Sequence, residues 1–357
     1  MAAAGEAVAG LSPGYFALVM ATGIVSVGLR DAGLTAASAA LLLVAAMAYV
    51  VLIVLNVLRA LRFRSHLVAD FTNPARAFGF FTVVAGTDVL GVRLAVDGHR
   101  LAALALLGLG GLSWAVLGYL IPWTAVLSRH DRPVVAGANG TWFIWVVASQ
   151  SVATLAASLE PTVGSGRREL ALLAVFSWSV GVCLYAGVGV FVAARLLLYP
   201  IRPTDLTPPY WVAMGATAIT VLAGARIVLM ADAPIVAVTR GLVGGTSAVI
   251  WAFGTWLIPA LAAAGWWRHV THHVPLRYEA ALWSIVFPLG MYAVAGHFIG
   301  QADHLPLVGL IGHLEFWVAL AAWLLTFVAM LGHLTRTVLL TPSRPQPVPA
   351  GAVPPPA

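Results

Sequence analysis

The sequence predicts an all-α membrane protein in which ten transmembrane helices form five parallel helical hairpins around a central pore. Three observations predict it. Of 357 residues 61% are hydrophobic and only 9% charged, with a mean hydropathy of +0.94, far outside the range of soluble domains. Apolar stretches of about 20 residues, the length that crosses a bilayer, occur ten times. A short motif also returns on every second stretch.

The stretches begin near Pro13, Leu34, Ala77, Arg100, Gly140, Glu169, Tyr210, Ile235, Ala280 and Pro306. Residues 1–12 read as a short cytoplasmic tail: "MAAAGEAVAG" has no positive n-region and its small residues precede the apolar stretch, the reverse of a cleaved signal peptide. The first, third and seventh spans carry Gly23, Gly86 and Gly215 near their middles. The fifth has neither Gly nor Pro between Thr141 and Glu160, and the sixth holds the lone Cys183, which excludes an internal disulfide and a thiolate metal cluster. "RHVTHH" before the ninth span reads as an interfacial loop, with no acidic or thiolate ligand beside His269, His272 and His273. The ninth span, "LWSIVFPLGMYAVAG", is interrupted by Pro288. Residues 13–340 form one transport domain, and "TPSRPQPVPAGAVPPPA" (341–357) is too proline-rich to hold a helix and reads as a disordered cytoplasmic tail.

All 19 basic residues are arginine, which excludes chemistry that needs a lysine, such as a Schiff base or a Walker A loop. The arginines are scattered between spans, not gathered on one face, so nucleic acid is not the partner. Twelve of them lie on one side of the ten-span arrangement: Arg59, Arg62, Arg64, Arg76, Arg129, Arg132, Arg195, Arg202, Arg268, Arg277, Arg336 and Arg344. The positive-inside rule puts that side, and both termini, in the cytoplasm. The Ala, Arg and Gly bias suits a G+C-rich genome, hence a bacterial inner (cytoplasmic) membrane.

The odd spans align as "YFALVMATG" from Tyr15, "FFTVVAGTD" from Phe80, "WFIWVVASQ" from Trp142, "YWVAMGATA" from Tyr210 and "LWSIVFPLG" from Leu282, with starts 65, 62, 68 and 72 residues apart. That period holds two membrane helices, so the copies are parallel hairpins related by an axis along the membrane normal. Small residues recur about two turns into each odd span. They also serve close helix packing, but recurrence at one depth on five helices favours a weakly polar, uncharged pore lining of Thr22, Gly23, Ser26, Gly86, Thr87, Ser149, Gln150, Thr217 and Thr220.

With "PGYFALVMATGIVS", "NPARAFGFFTVVAGTDVLG", "NGTWFIWVVASQSVA", "PPYWVAMGATAITVLAGARI" and "WSIVFPLGMYAVAG" in this order, the chain resembles the tellurite-resistance/dicarboxylate transporter family, which includes plant guard-cell slow anion channels and fungal malate and sulfite carriers. The resemblance spans roughly Pro13 to Arg336. It implies odd helices inside and even helices outside, a homotrimer with one pore per subunit, and a pore plugged by a ninth-helix phenylalanine beside a proline. By the "FPL" motif that residue is Phe287. Read alone, an intramembrane Phe faces lipid or a neighbouring helix. With the resemblance, Pro288 kinks the helix near Ser284 to Pro288 and aims Phe287 inward, while Gly290 leaves its ring room to move.

At 1.5 Å per residue Asp88 lies about 16 Å deep, and Arg93 and Arg226 roughly 24 Å deep. Arg226, Arg93 and Arg240 near the outer mouth either recruit anions or snorkel and pair with Asp88, Asp97 or Asp232. In an anion pore Asp88 is expected off-axis and either paired or protonated. No catalytic cluster and no cofactor site is found; the pair His297 and His313 is too little for a membrane cytochrome. The partners expected are small anions and membrane lipid. A gated passive anion pore is the favoured function, with C4-dicarboxylate, tellurite, sulfite, chloride and nitrate all candidates. A proton-coupled carrier using Asp88 or Glu315 is the alternative.

Accessibility tags at Arg132 and in the C-terminal tail should report the cytoplasm, and one in "EPTVGSGRRE" the outside. One shared side for all three contradicts the hairpin arrangement.

Overall fold

The computed structural model describes residues 2–128, 133–230, 234–302 and 306–339. Arg129, Arg132, Asp232, Arg344 and the proline-rich tail lie outside them. Among the described residues there is no strand, and ten helical spans are long and apolar enough to cross a membrane. These are α1 (Pro13–Asp31), α2 (Thr35–Arg62), α3 (Ala77–Val96), α4 (Arg100–Leu127), α5 (Gly140–Thr162), α6 (Arg167–Leu198), α7 (Pro208–Val228), α8 (Pro234–Thr271), α9 (Ala280–Gly300) and α10 (Pro306–Thr337). Each starts within two residues of its expected position. In the N-terminal tail, Ala2–Ala9 is itself a short helix, and its Ala9 carbonyl accepts a hydrogen bond from Arg59 Nε at 3.1 Å.

The apolar core of each odd span is 72 to 89% buried, against 6 to 22% for the even spans. The odd helices are therefore inner and the even helices outer, their exposed apolar side chains facing lipid. α1 packs on α3, α3 on α5, α5 on α7, α7 on α9, and α9 back on α1, which closes a five-membered ring; each even helix packs on the odd helix before it.

Every inner helix opens with a 3₁₀ turn: Pro13–Phe16, Ala77–Phe80, Gly140–Trp142, Pro208–Trp211 and Ala280–Leu282. These turns also touch in a closed ring at one end of the bundle. Proline at Pro13 and Pro208 pre-sets the backbone for such a start. The aromatic openings of the repeats pack there, with Phe78 stacked on Trp142 at 4.7 Å and Phe80 on Phe71 at 3.9 Å between centroids. Thr82 Oγ1 donates to the Gly79 carbonyl at 2.7 Å and to the Pro13 carbonyl at 3.1 Å, tying the second turn to the first. Gly140 abuts the Pro209 carbonyl so closely that no side chain fits.

Glycine also sets the spacing within hairpins. Gly110 of α4 seats Asp88 of α3, Gly181 of α6 seats Gln150 of α5, and Gly254 of α8 seats Thr217 of α7; a Cβ at any of them would collide with the seated side chain. A Cβ on Gly312 of α10 would stand 2.7 Å from the Ala293 carbonyl of α9. Small residues at these crossings let backbones approach and put polar groups within reach of partners. Past its opening turn α5 has no glycine, since the seat is on α6, and its helix runs unbroken from Phe143 to Leu159.

Arginines read as topology signals also close the helix ends. Asp70 accepts ion pairs from buried Arg59 and from Arg76, both at 2.6 Å. Arg268 Nη1 donates to the carbonyls of Pro203, Thr204 and Leu206.

Gly110→Ala should lower stability by about 1 to 3 kcal/mol, the usual range for overpacking, measured by thermal unfolding in detergent. In an Asp88→Ala background, where the seat is vacated, the same substitution should cost much less. Equal loss in both backgrounds would show that the glycine serves something other than Asp88.

Candidate functional site on the axis of the inner ring

Pro288 removes the amide donor that the Ser284 carbonyl would otherwise meet, and its ring lies against α7, where a Cβ on Gly215 would be 2.8 Å from Pro288 Cγ. Gly290 faces the other neighbour: a Cβ there would be 2.9 Å from Ile24 Cγ2 of α1. Gly290 is thus filled by α1 and is not open to the Phe287 ring, as the sequence had suggested. On the back of α9, Tyr292 Oη shares a 2.8 Å hydrogen bond with Thr255 of α8, and Gly296 meets Gly312 of α10.

These contacts fix the direction of Phe287. At about 100° per residue, it points between the α7 contact and the α1 contact, on the flank opposite α8 and α10. That flank faces the ring axis. The side chain is 1% exposed, and Met291, Val294 and Phe298 continue the same flank at i+4, i+7 and i+11.

Phe287 is the sixth residue of its repeat. Its counterparts are Met20, Ala85, Val147 and Gly215, all uncharged and buried. These four were not among the residues expected to line a pore; the signal that finds them is the repeat alignment read down its sixth column.

The lining expected from the small polar residues is corrected: four of its nine members occupy the eighth column, two residues on and rotated by about 200°. There Thr22 Oγ1 accepts from Trp323 Nε1 of α10 at 3.0 Å, and Thr87 Oγ1 and Tyr49 Oη of α2 share a bond of 2.9 Å. Ser149 Oγ accepts from Trp114 Nε1 of α4 at 2.8 Å, and Thr217 lies against Gly254 of α8. Of the remaining members, all but Thr220 are seen against neighbouring helices. Gly23 meets Val89 of α3, Gly86 meets Phe16 and Val19 of α1, and Gln150 Nε2 donates to the Trp178 carbonyl of α6 at 3.1 Å. Ser26 is bonded to Ser38 and Arg93, and Thr220 Oγ1 to the Ala216 carbonyl of its own helix.

Asp88 is off-axis, as expected, between α3, α4 and α5. Its Oδ2 accepts from Ser151 Oγ at 2.9 Å, and among the described residues no cation lies within ion-pair distance. Its partner is a serine, not an arginine.

Of the three expected recruitment arginines, two are corrected. Arg93 is fully buried: Nε donates to Ser26 at 2.9 Å, Nη2 to Ser38 at 2.8 Å, and Nη1 is paired with Asp97 at 2.7 Å. It fastens α1, α2 and α3 together. That pairing holds the Asp97 carboxyl below the usual carboxylate range. Arg240 stands on lipid-facing α8 and donates Nη2 to the Met230 carbonyl at 2.9 Å. Arg226 bridges the helices on either side of it in the ring, at the end where the inner helices finish. Its Nη1 donates to Ser158 Oγ of α5 at 2.9 Å, its guanidinium lies 4.8 Å from the Phe298 ring of α9, and its Nε has no hydrogen-bond partner among the described residues. His269 and His272 bond the carbonyls of Val274 and Trp267. Among the described residues no three His, Cys, Asp or Glu are grouped to hold a metal ion.

A voltage-dependent anion channel family model matches residues 10–331. An uncharacterized membrane protein of Mycobacterium tuberculosis is 69% identical over 155 residues, 43% of this chain and 79% of its own length. Two uncharacterized transporters of Methanocaldococcus jannaschii are 23% and 21% identical, over 88% and 78% of this chain and 91% and 80% of theirs.

Proposed function

The chain belongs to the voltage-dependent anion channel family, and from that premise we propose that it is a passive, Phe287-gated pore for small anions, acting as a homotrimer with one pore per subunit in a bacterial inner membrane with both termini cytoplasmic. Membrane anion transport follows from the family. The observation that carries the finer reading is the direction of Phe287: it is the largest side chain in a column whose other members are Met20, Ala85, Val147 and Gly215, on the flank of α9 turned to the axis. A ring with small counterparts forms an apolar constriction that bars water and ions until the aromatic side chain moves.

Two further features support anions over cations. All five inner helices begin in the ring of 3₁₀ turns, so the positive ends of five parallel helix dipoles converge on that mouth. At the opposite mouth Arg226 bridges two inner helices, with its Nε unpartnered among the described residues. A single arginine suits a small anion such as chloride, nitrate or sulfite; C4-dicarboxylates such as malate, which favour two bidentate arginines, and tellurite are the competing substrates.

Phe287→Ala should raise anion flux in proteoliposomes by roughly tenfold or more, the factor that corresponds to about 1.4 kcal/mol of barrier, with Phe287→Leu intermediate. The comparison is made at equal amounts of folded protein by size-exclusion profile. A well-folded Phe287→Ala that conducts no better than the parent refutes the gate.

The buried Asp88, bonded only through Ser151, favours a second reading in which it carries a proton coupled to anion movement. Asp88→Asn leaves flux intact in a passive pore. Loss of uptake driven by a pH gradient, with the fold retained, supports the carrier.

A further inference from the structure

The charges at the finishing end of the inner helices do not all cancel. Asp97 pairs with Arg93 at 2.7 Å and lies 3.6 Å from Arg30, and Glu160 pairs with Arg167 at 2.8 Å. Of the charged residues on the inner helices at this end, Arg226 and Asp31 are left. Among the described residues neither has an ion-pair partner within 4.0 Å. Arg226 is held by a hydroxyl and an aromatic face, both neutral. Asp31, the last residue of α1, is exposed on the rim, lining a cavity of about 50 Å³ with Val294 and His297 of α9 and Phe316 of α10.

The two charges are linked through α9. Arg226 lies over Phe298, which adjoins His297, and His297 shares the rim cavity with Asp31. Eleven residues on from Met20 and from Gly215, Asp31 and Arg226 occupy the same position of the repeat, at the same end of the ring. Asp31 stops short of a salt bridge that would take Arg226 out of use.

We infer that Asp31 is a valence filter at this mouth, a fixed carboxylate set against Arg226 so that monovalent anions enter in preference to divalent ones. This rests on the anion-pore reading above and assigns the specificity of the same mouth. The attraction of an ion to a fixed potential grows in proportion to its charge, whereas its desolvation cost grows with the square. With Asp31 present the positive potential of Arg226 is partly offset, so a dianion meets a fourfold desolvation cost with less attraction to balance it. Without Asp31 the potential rises, and a dianion gains from it twice over.

The test uses the full-length protein in proteoliposomes in the Phe287→Ala background, with chloride and sulfate as probes. Asp31→Asn should raise the sulfate-to-chloride flux ratio by roughly two- to tenfold at low ionic strength, the span given by a charge several Å away at effective dielectric constants between water and a protein surface. The increase should shrink as salt screens the charge. Asp31→Glu should keep the parental ratio, and Arg226→Gln should lower flux of both anions. A parallel readout needs no transport: in detergent, sulfate should raise the melting temperature of Asp31→Asn more, relative to chloride, than it raises that of the parent. An unchanged flux ratio in a conducting Asp31→Asn protein overturns the filter. If no variant passes any anion the pore reading falls instead, and the melting shifts alone decide the filter; equal sulfate and chloride shifts in parent and variant overturn it.

Discussion

A polar side chain inside a bilayer finds no water, so its hydrogen bonds must be made within the protein. In this chain that requirement orients three of the five inner helices. Thr22, Thr87 and Ser149 bond to Trp323, Tyr49 and Trp114 of the outer helices, and Thr217 lies against Gly254 of another. Once the eighth residue of a repeat is turned outward, helix geometry turns the sixth inward. In α9, whose eighth residue is Leu289, the Tyr292–Thr255 hydrogen bond to α8 sets the orientation and leaves Phe287 on the far flank.

Glycine converts that orientation into a closed ring. Outer-helix glycines seat Asp88, Gln150 and Thr217, and inner-helix glycines receive Val89, Pro288 and Ile24. Each seat lets two backbones approach to within a side chain of each other. Pro288 answers to the same logic: it gives up one hydrogen bond near the start of α9, and the ring that caused the loss fits against Gly215. The break that looks like a weakness in the sequence is a packing contact in the fold, and it leaves Phe287 on the free flank.

Charge follows the same division between fastening and function. Most of the arginines are consumed at the helix ends, as with Arg59 and Arg76 on Asp70, Arg93 on Asp97, and Arg268 on three carbonyls. Burying a charge without such partners is costly, and Arg226 differs from these in resting on a hydroxyl and an aromatic face, with no carboxylate or carbonyl partner among the described residues.

The membrane class, ten spans, five parallel hairpins and the position of Phe287 beside Pro288 were legible in the sequence, because they depend on local properties: a run of apolar residues, a period of 62 to 72 residues, a proline. The starts of all ten spans fell within two residues for the same reason. The lining was not legible. Thr22 and Met20 stand two residues apart at nearly the same depth, and both the outward and the inward assignment satisfy composition and repeat alike. Only the packed neighbours, Trp323 on one side and the closing ring on the other, separate them. Likewise Arg93 and Arg226 lie at matching depth on equivalent inner helices. Whether each meets a carboxylate depends on residues far away in the chain, such as Asp97, Ser38 and Ser158. Hydrophobicity acts on each segment by itself and can be read segment by segment, whereas the direction of a side chain is set by contacts between segments, which exist only once the ring has closed.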